Sequence, residues 1–258
     1  MAATLSPMAA PKAIDVFHLA FLAILPLRLE PARYILKGGA NLRFFYESPR
    51  FSEDIDLDVR APRENVEAAV DRALSSPALR LTLKTHDLDV GAVTKPKQTP
   101  TTQRWKVTLT SSRRPGGQSI RTEIEFSHRG LDDRYELIQV PSAVVEPYGL
   151  RPPTVQSYLP PAMILLKLRA LVGRKETQTR DVFDLDLLFT RYPRLVKADV
   201  LARGTVDVDA AIERILELPF EAYASQVVPF LAPEFAELLG TSAAWTRMQE
   251  HLVEALTR

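Results

Sequence analysis

The stretch that decides the fold is RFSEDIDLDV, residues 50–59. It places three carboxylates at alternate positions, Asp54, Asp56 and Asp58, with an apolar residue after each. Strict alternation of this kind predicts a β-strand with one buried face and one acidic face. Carboxylates that share a face repel one another, so the acidic face calls for positive charge above it. The sequence therefore raises the hypothesis of a cation site on this strand.

The spacing of Asp54 and Asp56 suits a pair of divalent cations. Side chains two apart on a strand lie on one face, with Cα atoms roughly 6.5–7 Å apart. Such carboxylates can converge on metal ions about 3.5–4 Å apart, as in two-metal phosphoryl transfer. The competing interpretation is an exposed strand whose solvated face is acidic. A motif this short leaves both open.

A glycine corner, LKGGANLR at residues 36–43, precedes the acidic strand. Glycines between a strand and a helix let the backbone approach a phosphate, and the helix N-terminus adds partial positive charge. Lys37 stands beside Gly38 and Gly39 as a point charge for a triphosphate. The spacing matches neither a Walker A loop nor a dinucleotide fingerprint, and an ordinary glycine turn is the alternative.

A third carboxylate is available in RTEIEFSHR, residues 121–129. Glu123 and Glu125 share a strand face, and we prefer Glu125 as the residue that completes a magnesium site with Asp54 and Asp56. Oxygen ligands suit this hard cation. A solvated strand face is the alternative interpretation.

The second charged block is LLKLRALVGRKETQTRDVFDLDLL, residues 165–188. Lys167 and Arg174 are seven apart, so they share a helix face. On the next helix, Thr179 is the expected N-cap and Asp181 lies in the first turn. The alternative is a pair of ordinary amphipathic helices with local ion pairs, such as Arg180 with Asp184.

Composition and the order of the predicted helices and strands indicate the class and domain organisation of the chain. The chain has 258 residues, 46% of them hydrophobic, a net charge of +1 and no cysteine, which excludes disulfides and thiolate chemistry. Helices are predicted at 13–29, 62–76 and, after a proline-rich seam at 139–160, throughout the remainder. Strands are predicted at 34–36, 54–60, 79–88, 104–112 and 118–129, with a turn at 95–102. We expect an α/β domain at 1–150 and a helical domain at 151–258.

The apolar segment 13–29 is interrupted by Asp15, His18 and Pro26. We interpret it as a buried helix, too short to span a bilayer, and expect no membrane association. The expected location is the cytoplasm, because the absence of cysteine fits a reducing compartment.

Taken together, the two blocks resemble the AbiEii-type nucleotidyltransferases, toxins of bacterial toxin–antitoxin and phage-abortive systems. The resemblance covers residues 33–60 and 160–190. It implies a polymerase-beta-like nucleotidyltransferase fold of the α/β (α+β) class, with a mixed sheet followed by a C-terminal helical domain. It also implies an NTP substrate, Mg²⁺ as cofactor and a cognate antitoxin as partner.

The resemblance also implies roles for particular residues. Asp54 and Asp56 would be metal ligands, Lys167 and Asp181 an essential pair, and Lys37 and Ser52 contacts to the nucleotide phosphates. Broader nucleotidyltransferases carry a serine after the first glycine, where this chain has Gly39, so Ser52 or backbone amides must replace it.

The acceptor implied by the resemblance is RNA, with the 3′ end of tRNA preferred and translation arrest as the outcome. A basic strip along the acceptor path is expected from seven residues: Lys95, Lys97, Arg113, Arg114, Arg169, Arg174 and Lys175. Scattered solvated charge is the alternative. Two other functions stay open: transfer to a small molecule or protein hydroxyl, and a nucleotide-binding module that has lost turnover.

Overall fold

The computed structural model describes residues 10–111, 119–195 and 206–257, and the chain divides into two compact units. The first unit comprises residues 1–45 and 51–157. The second comprises residues 158–258 together with Tyr46–Arg50. This short segment follows the glycine corner in sequence, but its contacts belong to the second unit.

A mixed sheet forms the centre of the first unit. Seven strands are found in the described residues: β1 Tyr34–Lys37, β2 Asp54–Val59, β3 Leu88–Thr99, β4 Thr102–Ser111, β5 Ile120–Ser127, β6 Tyr135–Gln139 and β7 Thr154–Tyr158. Their order is β3-β4-β5-β2-β1-β7-β6. β2 pairs antiparallel with β1 and parallel with β5, so the acidic strand lies at the centre of the sheet. The predicted mixed sheet is confirmed.

The apolar side of this sheet is covered by helices. The first unit contains α1 Ala10–Ile24, α2 Gly38–Phe45, α3 Arg63–Leu74, α4 Pro77–Thr85 and α5 Ser142–Val145. Ile55 and Leu57 of β2 are fully buried, as are Phe17 and Phe21 of α1 in the same core cluster. Burial of one strand face leaves the alternate residues of β2 for the opposite, charged face.

The α1 segment was predicted to be a buried helix, and its burial confirms this. With the 3₁₀ turn that follows it, the helix spans Ala10–Leu27, long and apolar enough by composition to cross a bilayer. The prediction that it is too short was therefore wrong on length. However, 61% of this window is buried inside the protein, where α1 packs against β5, α3 and α4.

The strand predicted at 79–88 is wrong, since this segment forms α4. Leu79, Leu81 and Leu83 alternate with polar residues, which favours a strand by sequence pattern. Leu79 and Leu83 are also one helical turn apart, and both are fully buried, whereas Leu81 is 69% exposed. Pro77 occupies the first turn, where a proline is tolerated. The segment is helical because a helix buries Leu79 and Leu83, which are four residues apart, and leaves Leu81 in solvent.

The turn predicted within 95–102 is found but is shorter than expected, because β3 continues to Thr99 and the chain reverses at residues 100–101. β3 is an edge strand of the sheet, and its polar, proline-containing sequence is tolerated there because, within the described residues, it pairs on one side only. In addition, β7 forms inside the predicted proline-rich seam and pairs in parallel with β1.

The second unit is built from helices. Its described helices are α6 Pro160–Gly173, α7 Thr179–Arg191, α8 Pro193–Leu195, α9 Val208–Leu216, α10 Phe220–Gln226, α11 Pro233–Leu239 and α12 Ser242–Thr257. The core of this unit includes Trp245, which stacks on Tyr223 with ring centroids 4.6 Å apart. The prediction that helices follow the seam is confirmed for the residues that the structure describes beyond it.

Candidate active site

The acidic strand and the glycine corner meet in the first unit. β1 and β2 pair so that Lys37 lies opposite Asp56. Gly38 follows with φ +70°, a left-handed conformation that glycine adopts at low cost. A Cβ added to Gly38 would lie 2.6 Å from Asp56 Oδ2, well inside van der Waals contact. The glycine is therefore needed for its conformation and for the close approach of the Asp56 carboxylate to the start of α2.

The three aspartates of β2 have different environments. Asp58 is 4% exposed, and its Oδ1 accepts a hydrogen bond from Lys37 Nζ at 2.5 Å. Asp54 and Asp56 are half-buried. Asp58 is thus paired with the lysine of the neighbouring strand, and Asp56 is the aspartate whose carboxylate lies beside Gly38.

The start of α2 is fixed by Asn41, a residue that sequence reasoning missed. The fully buried Asn41 side chain donates from Nδ2 to the carbonyl of Leu36 at 3.0 Å. Its Oδ1 accepts from Ser157 Oγ on β7, also at 3.0 Å. One side chain therefore ties the helix to two strands. The available signal was a polar residue between Ala40 and Leu42, two positions after the glycine pair.

β5 brings two glutamates beside the aspartates, and each has a basic partner. Asp54 lies opposite Glu123 and Asp56 opposite Glu125 in the parallel pairing. Arg104 of β4 contacts Glu125 at 2.5 Å and Glu123 at 3.2 Å. Burial lowers the pKa of Arg104, but Glu125, Glu123 and Asp54 outweigh this and raise it overall. Sequence reasoning missed Arg104, since the register that pairs it with Glu125 is a tertiary property.

The donor set can be compared with the needs of Mg²⁺. Among the described residues no group of three or more histidine, aspartate or glutamate side chains forms a ready cation site. The preferred third ligand, Glu125, lies beside Asp56 but is bound to Arg104. Asp54 and Asp56 provide hard oxygen donors at the edge of the glycine corner, which suits this cation when substrate oxygens and water complete its shell.

Ser52, predicted to contact phosphate, makes a local contact. It is 6% exposed, and its hydroxyl donates to the carbonyl oxygen of Asp54 at 2.8 Å. This bond holds the chain that enters β2. Gly39 lies buried in the first turn of α2.

The second unit contains a buried charge cluster around Lys167. Its Nζ lies 3.0 Å from Asp181 Oδ1 and 2.6 Å from Asp184 Oδ2. Both aspartates are fully buried. Burial lowers the pKa of Lys167, but Asp184 and Asp181 raise it by more, so the amine stays charged. The lysine and aspartate of the second sequence block are therefore in direct contact.

Arg50 completes this cluster. Its guanidinium reaches both oxygens of Asp184, with Nη2 3.1 Å from Oδ1 and 3.0 Å from Oδ2. Burial raises the pKa of Asp184, but Arg50 and Lys167 lower it further, which keeps the carboxylate ionised. The local pair of Arg180 with Asp184, left open as an alternative, is not the arrangement found. The signal for Arg50 was its place in the acidic-strand motif.

Two helix-end predictions have different outcomes. Asp181 lies in the first turn of α7, as predicted. The N-cap is Gln178 and not Thr179, because the helix begins at Thr179. The Thr179 hydroxyl instead donates to Gln226 Oε1 at 3.1 Å. Arg174 caps the end of α6, and its Nη1 lies 3.5 Å from Asp181 Oδ2 in the first turn of α7.

The residues of the predicted basic strip have varied surroundings. Lys95 forms ion pairs with Glu67 and Asp71 of α3, at 2.8 and 2.7 Å. These carboxylates compete with an RNA phosphate for the Lys95 ammonium group. Arg113 and Arg114 lie outside the described residues. Four strip residues remain, with Lys97 in the first unit and three in the second: Arg169, Arg174 and Lys175.

Comparison with known proteins places this architecture in a family. A family model described as "Nucleotidyl transferase AbiEii toxin, Type IV TA system" matches residues 20–258. The structure of JHP933 from Helicobacter pylori is similar with a TM-score of 0.56 and 16% identity, over 98% of this chain and 92% of that one. A second H. pylori structure, of a protein assigned as a nucleotidyltransferase, has a TM-score of 0.56 and 18% identity, covering 95% of this chain and 96% of the other. No curated protein matches.

Proposed function

The chain belongs to the AbiEii nucleotidyl transferase toxin family of type IV toxin–antitoxin systems, and from this we propose that it transfers a nucleoside monophosphate from an NTP to the 3′ end of an RNA. We take tRNA as the preferred acceptor and a block of translation as the consequence. A cognate antitoxin protein is the expected partner, and the cytoplasm is the expected location.

The observation that carries this proposal is the contact between the glycine corner and the acidic strand. Gly38 leaves just enough room for the Asp56 carboxylate beside the first turn of α2. A carboxylate that can hold a cation and a helix N-terminus that favours phosphate are thus adjacent. Adjacent cation and phosphate sites are what a metal-bound nucleoside triphosphate requires.

The reaction balances without any oxidant or reductant. The acceptor hydroxyl oxygen attacks the α-phosphorus, a new phosphodiester bond forms, and the bond to the β-phosphate breaks. Pyrophosphate leaves with the electron pair of that bond, and the hydroxyl proton passes to solvent or a nearby base. Mg²⁺, when bound, would lower the pKa of the attacking hydroxyl and neutralise charge on the leaving phosphates.

The residues of the first unit have defined tasks in this proposal. Asp54 and Asp56 hold the cation, with Glu125 as the preferred third acid. Lys37 keeps two of its three N–H donors for phosphate while the third binds Asp58. The amides of Gly38 and Gly39 bind phosphate at the helix start. Ser52 shapes the entry to β2, and its hydroxyl oxygen can still accept or exchange a hydrogen bond.

The residues of the second unit supply a fixed positive charge. We assign Lys167 to stabilising the charge that develops during the displacement, and Asp181 to orienting Lys167 through their 3.0 Å ion pair. Because Asp184 and Arg50 hold the cluster from the other side, the ammonium group cannot reorient freely. A preorganised charge of this kind costs little reorganisation during reaction.

The test is transfer of label from each of the four α-³²P NTPs to total tRNA by the full chain. We expect one NTP to label the RNA 3′ end, and Asp56→Asn to lower the rate at least about 100-fold, since a metal ligand is lost. Asp133→Asn, a change at an exposed aspartate of the first unit, is the control and should keep the wild-type rate.

The other outcomes decide between the alternatives. Label that appears in protein or in an added small-molecule alcohol, and not in RNA, would overturn the acceptor and favour the small-molecule or protein-hydroxyl interpretation. NTP binding without label in any acceptor would indicate a binding module that has lost turnover.

A further inference from the structure

A pocket lies on the charged face of the sheet, next to Asp54. Its volume is about 380 Å³, at the lower end of the range for small-ligand pockets, and it is open to solvent. The walls come from β3, β4 and β5 and from the chain that enters β2. Its size excludes a nucleic-acid duplex and suits one nucleotide of a single strand.

The pocket has a negative end and a positive end. Asp54 of β2 and Glu123 of β5 lie side by side in the parallel pairing, and Arg121 lies two residues before Glu123 on the same face. That places the Cα of Arg121 roughly 6.5–7 Å further along β5. Arg121 is exposed and forms no ion pair with an acidic side chain in the ranges that the structure describes, in contrast to Lys106, which contacts Glu123 at 3.3 Å.

The walls between these ends carry hydroxyl groups. Thr108 of β4 pairs with Arg121 in the sheet register, and Thr94 of β3 pairs with Lys106. Both threonines line the pocket. Hydroxyl and guanidinium groups are common contacts of phosphate and sugar oxygens, whereas a carboxylate accepts hydrogen bonds from ribose hydroxyls.

The order of strands separates this pocket from the glycine corner. The corner follows β1, the pocket is walled by β5, β4 and β3, and β2 lies between them. In-line displacement requires the attacking and leaving oxygens on opposite sides of the transferred phosphorus. If pyrophosphate departs at the glycine corner, the acceptor must arrive from the side of β5.

We propose that this pocket binds the 3′-terminal nucleotide of the single-stranded acceptor, with its ribose hydroxyls toward Asp54 and the adjacent phosphodiester on Arg121. The proposal rests on the function proposed above and names the subsite for its second substrate. Thr108 hydrogen-bonds the same phosphodiester. The subsite reads sugar and phosphate, so it accepts ends of different base sequence.

The experiment measures binding of a fluorescein-labelled single-stranded RNA, ending in the 3′ sequence of tRNA, to the full chain by anisotropy with Mg²⁺ and without NTP. Arg121→Gln should weaken binding about tenfold at low salt and reduce the salt slope by about one. Arg121→Lys should restore most of the affinity, and Thr108→Val should weaken it by about threefold through loss of one hydrogen bond.

Arg72→Gln is the matched control. Arg72 is an exposed arginine of α3, a helix with apolar residues in the core cluster. Its replacement removes the same charge and should leave the affinity within about twofold. Affinity for a fluorescent NTP analogue should be the same in all variants, because the nucleotide is assigned to the other side of β2. Melting temperatures confirm folding.

The outcomes separate this proposal from the proposed function. Nucleotide transfer that proceeds while Arg121→Gln binds RNA as tightly as Arg72→Gln would overturn the pocket and leave the function standing. RNA binding that depends on Arg121 in a chain that transfers no label would support the pocket and overturn the function. A wild-type chain that does not bind the RNA at all would overturn the pocket.

Discussion

The buried cluster around Asp184 gives a stability prediction that can be worked from distances. Asp184 is fully buried and accepts hydrogen bonds from Arg50 at 3.0 and 3.1 Å, with Lys167 at 2.6 Å. In Asp184→Asn one oxygen becomes an NH₂ group that faces these donors, and two buried cations share one acceptor fewer. Breaking a buried ion pair from one side costs about 3–5 kcal/mol. We expect a loss of that size in the free energy of unfolding of the second unit.

Two tryptophans make the assay specific to that unit. Trp105 lies in the first unit and Trp245 in the second, and the sequence has no other. In a Trp105→Phe background, urea unfolding followed by fluorescence reports on Trp245 alone. Asp186→Asn on the same helix is the control, because Asp186 is partly exposed and bonded to His251 at 2.7 Å. Its replacement should cost less than about 1 kcal/mol.

The pH dependence provides an independent check. The pKa of Asp184 is held below its usual value, so its stabilising contribution is present above about pH 4 and is lost as pH falls through the folded-state pKa. The difference in unfolding free energy between the wild type and Asp184→Asn should therefore be constant from about pH 5 to 8. The same difference should become smaller at lower pH, where Asp184 is protonated.

Coupling to Arg50 completes the test. Because both side chains belong to one cluster, Arg50→Gln and Asp184→Asn together should cost less than the sum of the single changes, by about 1–3 kcal/mol. The reasoning is refuted if Asp184→Asn is no more destabilising than Asp186→Asn, or if the two costs simply add.

Three further predictions concern the first unit. Gly38→Ala should lower nucleotide transfer by at least about 100-fold, because its Cβ would displace the Asp56 carboxylate, and circular dichroism should remain native; unchanged transfer would contradict the close approach. His18 is fully buried, and burial lowers its pKa to about 3. The free energy of unfolding should therefore fall by roughly 4–5 kcal/mol as the pH is lowered from 6.5 to 3. His18→Gln should lack this pH dependence, and an equal pH dependence in both proteins would contradict the prediction. Mg²⁺ with the cognate NTP should raise the melting temperature of the wild type and not of Asp56→Asn, and an equal rise in both would remove Asp56 from cation binding.

Much of the fold could be predicted because the signals are local. The alternation at β2 and the glycines after β1 each depend on neighbours within a few residues, and the structure has both elements there. The failure at 79–88 shows the limit of this reasoning. Leu79, Leu81 and Leu83 satisfy both a strand period and one helical turn, and only the position of the core decides that Leu81 stays exposed.

The sequence by itself determined an acidic strand, a glycine corner before it and a lysine–aspartate block in later helices. Only the tertiary structure decided which charges pair. It neutralises Asp58 with Lys37 across two strands, and it joins Asp184 to Arg50, 134 positions away, in place of Arg180 four positions away. The physical reason is that strand register and helix packing select partners by distance in space and by burial. A buried carboxylate is stabilised by the cations that lie next to it in the folded core, whatever their separation along the chain.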